Sequence, residues 1–175
     1  MGKMTDNLLK YVSVNVTNNQ GTALSSEIEL DIPRGYIAKI HRMKLETYNL
    51  GVDLADQDAD LECQIASAIV RDPDDSTNIT PPNSVKHDIL HYMTTDIMQS
   101  VSGVGSSLLI LGNEHDTGFI PESVDVITAR NLRLNSDQFG ANKSLLTTSS
   151  GVRAHVWYTY EKVTNTDLAE LLDIL

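Results

Sequence analysis

The sequence has one cysteine, so it cannot close an internal disulfide. Cys63 falls in an alternating apolar run, Leu61-Glu-Cys-Gln-Ile65, which reads as a buried, inert thiol rather than a nucleophile. No apolar run approaches the roughly 20 residues of a membrane span. Met1 to Lys10 lacks the apolar core of a signal peptide, so a protein made and kept in a cytoplasm is expected. Basic residues are also scarce. Thirteen Lys and Arg stand against 24 Asp and Glu, a formal net charge of −11. Duplex nucleic acid is bound by clustered Lys and Arg, and no such cluster occurs, so no direct nucleic-acid binding is expected. The same sign disfavours an anionic membrane surface and favours solubility.

What is present is period two. A chain of 175 residues suits one domain and buries roughly 70% of its unfolded surface, enough to fold without metal or disulfide. In Ser26 to Tyr48, Ile28, Leu30 and Ile32 alternate with Glu27, Glu29 and Asp31. That is a half-buried strand with an acidic wet face. Pro33-Arg34-Gly35 then breaks it, since Pro cannot donate to a ladder and Gly accepts positive φ. The next strand keeps Tyr36, Ala38 and Ile40 on one parity but Met43 and Leu45 on the other. A slip of phase at His41-Arg42 is the mark of a β-bulge.

The remaining chain reads the same way. Lys10–Thr17 alternates Val12, Val14 and Val16 with Ser13 and Asn15, and Asn18-Asn-Gln-Gly21 follows as a turn. Asn49 to Ala59 is an acidic loop, Leu61 to Ile69 a strand, and Arg71 to Ser84 a polar, Pro-containing loop. His87–Met98 fits either period, and its place between strands favours strand. Ser100 to Ser107 reads as a turn region and Leu108–Leu111 as a short, fully apolar strand. Gly112 to Glu122 reads as a loop, Ser123 to Asn135 as an interrupted strand, and Ser136 to Gly151 as a polar excursion. In Val152–Val163 the residues Val152, Ala154, Val156, Tyr158 and Tyr160 share one face. Arg153, His155, Trp157, Thr159 and Glu161 share the other. The period changes at the end: Thr164 to Asp167 offers helix caps, and Leu168, Leu171, Leu172 and Leu175 recur at helical spacing. A helix this short needs a partner surface, either the chain's own sheet or a neighbouring subunit.

These elements predict an all-β fold: an eight-stranded antiparallel jelly-roll sandwich with a short C-terminal helix. Residues 1–9 form an N-terminal arm, 10–163 the sandwich and 164–175 the helix.

Enzyme chemistry finds little support. His87 and His91 are four apart, but the zincin spacing needs Glu immediately after the first His, and that position is Asp88. No His-x-His occurs among the five histidines, which removes the main motif of metal-binding cupins. Asp56, Asp58 and Asp60 imitate the start of a calcium loop. However, Leu61 stands where the loop needs Gly, and Ser67 where it needs Glu. Solvated loops explain these acids, and Asp53, Asp72, Asp74 and Asp75, more simply than calcium between subunits. No Gly-x-Ser-x-Gly elbow occurs, and Gly103-Val104-Gly105 lacks the lysine of a phosphate loop. No enzyme, no cofactor and no metal is therefore expected. Trp157, Tyr158 and Tyr160 could together offer a sugar-stacking platform, against the simpler reading that they close the core or an interface.

Three segments carry a resemblance. Ile32-Pro-Arg-Gly-Tyr36 leads into Ile40-His-Arg-Met43. A late segment reads Thr128-Ala-Arg-Asn-Leu132, and the last strand, Val152 to Val163, runs into an acidic leucine-rich segment. Together these resemble small single jelly-roll capsid proteins of icosahedral DNA viruses of archaea and bacteria, the sphaerolipovirus-like group. The resemblance covers Ser26 to the C-terminus in texture, without a diagnostic motif. It implies an upright jelly roll that assembles with copies of itself and a second capsid protein, over an internal membrane, in a virion. It implies no catalytic residues. Leu168, Leu171, Leu172 and Leu175 are the expected docking face.

Overall fold

The computed structural model describes residues 8–17, 24–50, 60–71, 89–102, 105–121, 123–124, 126–141 and 150–164. Among them are ten strands and no helix: β1 Lys10–Thr17, β2 Leu24–Ile28, β3 Tyr36–Tyr48, β4 Leu61–Val70, β5 Ile89–Ser102, β6 Gly105–Leu111, β7 Glu114–Asp116, β8 Ile127–Thr128, β9 Leu132–Ala141 and β10 Gly151–Lys162. They form two antiparallel sheets. The first runs β1-β10-β3, and both β7 and β8 pair with the far side of β3; the second runs β2-β9-β4-β5-β6.

The alternation of β10 shows why the sheets face each other. Val152, Ala154, Val156, Tyr158 and Tyr160 are buried, and the residues between them are not. Their inward face meets Ile65 and Ile69 of β4, Met93 and Ile97 of β5, and Leu132 and Leu134 of β9 in one continuous apolar core. Each such side chain, removed from water, contributes about 1.5–3 kcal/mol before chain entropy is counted. The structure is thus an all-β sandwich, with one core between two sheets.

The bulge lies where the parity slips. Trp157 pairs with Arg42 and Tyr158 with Ile40, which leaves His41 as the extra residue. Because of it, Ala38 and Ile40 on one side and Met43 and Leu45 on the other all face the core. The His41 carbonyl accepts from the Ile120 N–H at 2.7 Å, and the His41 ring meets the Thr159 hydroxyl at 2.8 Å. The irregular position is therefore satisfied on both backbone and side chain.

The Ser26–Tyr48 stretch is organised differently from its sequence pattern. The first strand ends at Ile28, and it lies in the second sheet, whereas β3 lies in the first. The Pro-Gly turn is present: Tyr36 N–H donates to Pro33 O at 3.1 Å, and Gly35 has φ of 81°. It ends a crossing between sheets rather than joining a hairpin. The crossing begins at Asp31, whose φ of 50° ends the extended run. Two tyrosines of β10 hold this corner. Tyr158 donates to Leu30 O at 3.0 Å, and the Tyr160 hydroxyl lies 2.8 Å from the carbonyl oxygens of both Leu30 and Asp31. Asn131 adds a third hold, accepting from Leu30 N–H at 3.0 Å and donating to Glu27 at 2.7 Å.

Other elements depart from the expected plan. Of the expected polar excursion from Ser136 to Gly151, Ser136 to Ala141 is the second half of β9, paired with β4, and residues 142–149 lie outside the described residues. Ser136, Asp137 and Gln138 are buried there, with Ser136 hydroxyl to Ser67 hydroxyl at 3.2 Å. Ser136 and Gln138 are polar at inward positions, and Asp137 is buried on the opposite face across from Ala66, so apolar parity did not reveal this strand. The expected turn at Ser100–Ser107 contracts, because β5 runs to Ser102 and β6 starts at Gly105 in direct register. Within the expected loop after Gly112, Glu114–Asp116 adds a short strand to β3. The C-terminal helix, with Leu168, Leu171, Leu172 and Leu175, lies outside the described residues.

Candidate functional site

The outer face of the first sheet carries three cross-strand rows. Register sets them: Tyr11, Trp157 and Arg42; Ser13, His155, Lys44 and Asp116; Asn15, Arg153, Glu46 and Glu114. Residues directly opposite in a sheet share a face and touch. Arg42 donates through Nε to Asp116 at 3.0 Å and through Nη2 to its other oxygen, a bidentate pair. Its guanidinium lies 4.7 Å from the Trp157 ring centroid and 5.6 Å from that of Phe119. The Arg42 bond holds the Asp116 carboxyl down at about 2, against the opposing effect of burial. Lys44 bridges Glu46 at 2.8 Å and Glu114 at 3.2 Å, which answers two acids that face each other. Its hydrogen bond keeps Glu46 below the ordinary carboxylate range, and His155 adds to the effect.

His155 joins this network to β1. Its Nδ1 lies 2.6 Å from the Tyr11 hydroxyl and its Nε2 3.2 Å from Glu46. The neutral tautomer with Nε2–H satisfies both: Tyr11 donates to Nδ1, and Nε2 donates to Glu46. A tyrosine–histidine–carboxylate chain can relay a proton. On this open sheet face it fixes ring orientation, and Tyr11, His155 and Trp157 stack at centroid spacings of 5.1 to 6.0 Å.

The expected sugar platform is therefore divided. Trp157 faces outward, but Tyr158 and Tyr160 face the core and hold the corner at Leu30. Burial raises the Tyr158 hydroxyl far above its ordinary value, which keeps it a donor. The outward partner of Trp157 is Tyr11, which sequence reasoning missed. Tyr11 shares the parity of Ser13 and Asn15, so it was identifiable as outward, but its pairing with β10 was not.

The other candidate residues do not gather. Cys63 is buried, and burial pushes its thiol up to about 11, which suits the inert reading. His91 stacks on His115 of β7 with centroids 4.8 Å apart, not on His87, which lies outside the described residues. His91 Nε2 meets His115 O at 3.0 Å, and His115 Nδ1 meets Tyr92 O at 2.9 Å. These bonds fasten β5 of one sheet to β7 of the other. Burial lowers the His91 pKa. No group of three or more metal-ligating side chains occurs among the described residues. Asp60 is described and exposed, while Asp53, Asp56, Asp58, Asp72, Asp74 and Asp75 lie outside the described residues.

The second sheet ends differently. Among the described residues β6 is its edge, paired with β5 alone. Leu108, Leu109 and Leu111 are 45%, 50% and 50% exposed, and Met98 of β5 is 44% exposed. Leu109 opposes Met98, and Leu111 shares their outer face; Leu108 opposes Gln99 on the inner parity. Only Ile110 of this run packs on the core. Comparison with protein-family models and with curated proteins finds no match to this sequence.

Proposed function

We propose that this chain is a structural subunit, a single jelly roll that assembles with copies of itself into capsomers of an icosahedral shell. The strand order supports the jelly-roll part. β1 pairs with β10, β2 with β9, β3 with β8 and β4 with β5. These are nested pairs of one long antiparallel ribbon, and successive pairs lie in alternate sheets, β1·β10 and β3·β8 in one, β2·β9 and β4·β5 in the other. A ribbon rolled in this way is the double Greek key of the jelly roll. β6, hairpinned to β5, and β7 are additions to it.

Fold does not set function. The observation that carries the step to assembly is the row of exposed leucines on an open sheet edge, because clustered apolar surface marks a contact site. The resemblance of the Ile32–Tyr36 corner and the last strand to sphaerolipovirus-like capsid proteins belongs to the same reading, with a second capsid protein and an underlying membrane as partners. Leu168, Leu171, Leu172 and Leu175 are a second proposed docking face. Purified protein is expected to form large regular particles or capsomers by light scattering and electron microscopy, and deletion of Thr166 to Leu175 to leave a folded subunit that assembles poorly. A protein that stays a lone subunit at every concentration and salt would overturn the proposal.

A second reading is a carbohydrate-binding sandwich. The Tyr11–Trp157 pair on the outer face favours it. Glycan binding by a monomer, abolished by Trp157→Ala, would select this reading over the first.

A further inference from the structure

We infer that β6 is a self-pairing edge: β6 of a second copy adds antiparallel to it and makes the two five-stranded sheets one continuous sheet. Three observations converge. The first is backbone: among the described residues β6 has a ladder partner on the β5 side only, so the main-chain groups of its alternate residues face outward. The second is side-chain exposure on both parities, with Leu109 and Leu111 on the outer face and Leu108 on the other. A strand added in the plane of the sheet covers both sides of the edge at once, which a helix or loop laid on one face does not. The third is charge. From Gly105 to Gly112 the run Gly-Ser-Ser-Leu-Leu-Ile-Leu-Gly contains no ionisable residue, in a chain of net charge −11.

The other edges identify the occupant. β7 consists of Glu114, His115 and Asp116, β2 carries Glu27, and β1 begins at Lys10 and turns only Tyr11, Ser13, Asn15 and Thr17 outward. Charges on an edge strand block pairing with another chain, which discounts β7 and β2, and the outward Ser13, Asn15 and Thr17 of β1 offer no apolar seam to Leu109 and Leu111. Antiparallel pairing about a twofold axis perpendicular to the sheet is self-complementary. Centred on Leu109, it sets Leu109 against Leu109, Leu108 against Ile110 and Ser107 against Leu111, and it brings no like charges into the seam. A strand of this length buries less than the roughly 1,600 Å² of a standard interface. Each contact is therefore weak, and gains strength where many copies are held together. The inference deepens the assembly reading by naming one contact surface, but edge pairing can occur without any shell.

Amide hydrogen exchange of the full chain across a dilution series tests it, with sedimentation velocity on the same samples. At high concentration β6 amides are expected to gain protection in step with the dimer fraction, and to lose it on dilution. Added salt is expected to promote pairing by screening the acidic remainder. Leu109→Lys is expected to weaken self-association about 100-fold or more, because it places unpaired ammonium groups in an apolar seam. Its melting temperature should match the parent. Unaltered association of Leu109→Lys, or β6 amides already protected in the dilute monomer, would overturn the inference. Shells that form normally with Leu109→Lys would sink edge pairing and leave the assembly proposal standing. Leucine-dependent dimers that never form particles would do the reverse.

Discussion

On the outer face of the first sheet, charge meets charge: Arg42 with Asp116, Lys44 with both Glu46 and Glu114, Arg153 with Glu46 at 3.3 Å. Along β6, at the edge of the second sheet, there is no charge at all, and leucines stand about half exposed. The first surface is chemically complete within one chain, since its donors and acceptors already answer one another. Among the described residues, the second leaves both backbone and apolar groups unanswered. On the proposed assembly reading, the groups that meet a partner are the plainest residues of the two surfaces.

Substitutions can break that contrast in order of size. Gly151→Ala should be the most damaging, because a Cβ there would come within 2.4 Å of Val16 O and 2.5 Å of the Tyr48 hydroxyl. Backbone has to shift where β10 meets β1 and β3, at a cost of about 3 kcal/mol, readable as an early urea midpoint. Next is Tyr160→Phe, which takes a donor from the Leu30 and Asp31 carbonyls and should cost about 1–2 kcal/mol in the same assay. Trp157→Ala removes the ring over Arg42 and the stack with Tyr11, and should cost on the order of 1 kcal/mol.

Acid offers a finer probe of the completed face. Asp116 titrates at about 2 in the folded chain, below the ordinary 3.8. The folded state therefore binds fewer protons than the unfolded chain between these values. The stabilisation is fully present above the unfolded pKa and disappears as pH falls from about 4 through about 2. The pair is near the surface, so solvent screening limits it to roughly 0–1 kcal/mol. Arg42→Gln should flatten the stability–pH curve over that window. The smallest expected effect is on the other surface: Leu109→Ser should leave monomer stability within about 0.5 kcal/mol. A large destabilisation would mean that the edge is needed for folding itself and would erase the contrast.

Much of this architecture was legible where side chains obey period two. In β10 each apolar residue faces in and each outward residue is polar or aromatic, so parity sufficed. The His41 bulge was legible for the same reason, as a slip in that parity. β9 was half missed because Ser136, Asp137 and Gln138 are polar yet buried. Sheet membership was not legible either: nothing local says that Ile28 and Tyr36 belong to opposite sheets, since the crossing depends on Tyr158 and Tyr160 more than a hundred positions away in the chain. Leu108–Leu111 reads as buried from composition, and only its place at the end of the strand order exposes it. The outer-face network was legible as a list of outward residues, but its pairings required the register.

The nested pairing also fixes a timetable. β10 lies between β1 and β3, so among the described strands β1 has no ladder partner until β10 has left the ribosome. The centre of the ribbon, β4 with β5, can close early, and closure must then travel outward toward the ends of the chain. Such remote partnering makes for slow folding. A nascent chain halted before residue 151 should therefore hold the β4-β5 hairpin while β1 remains open to protease.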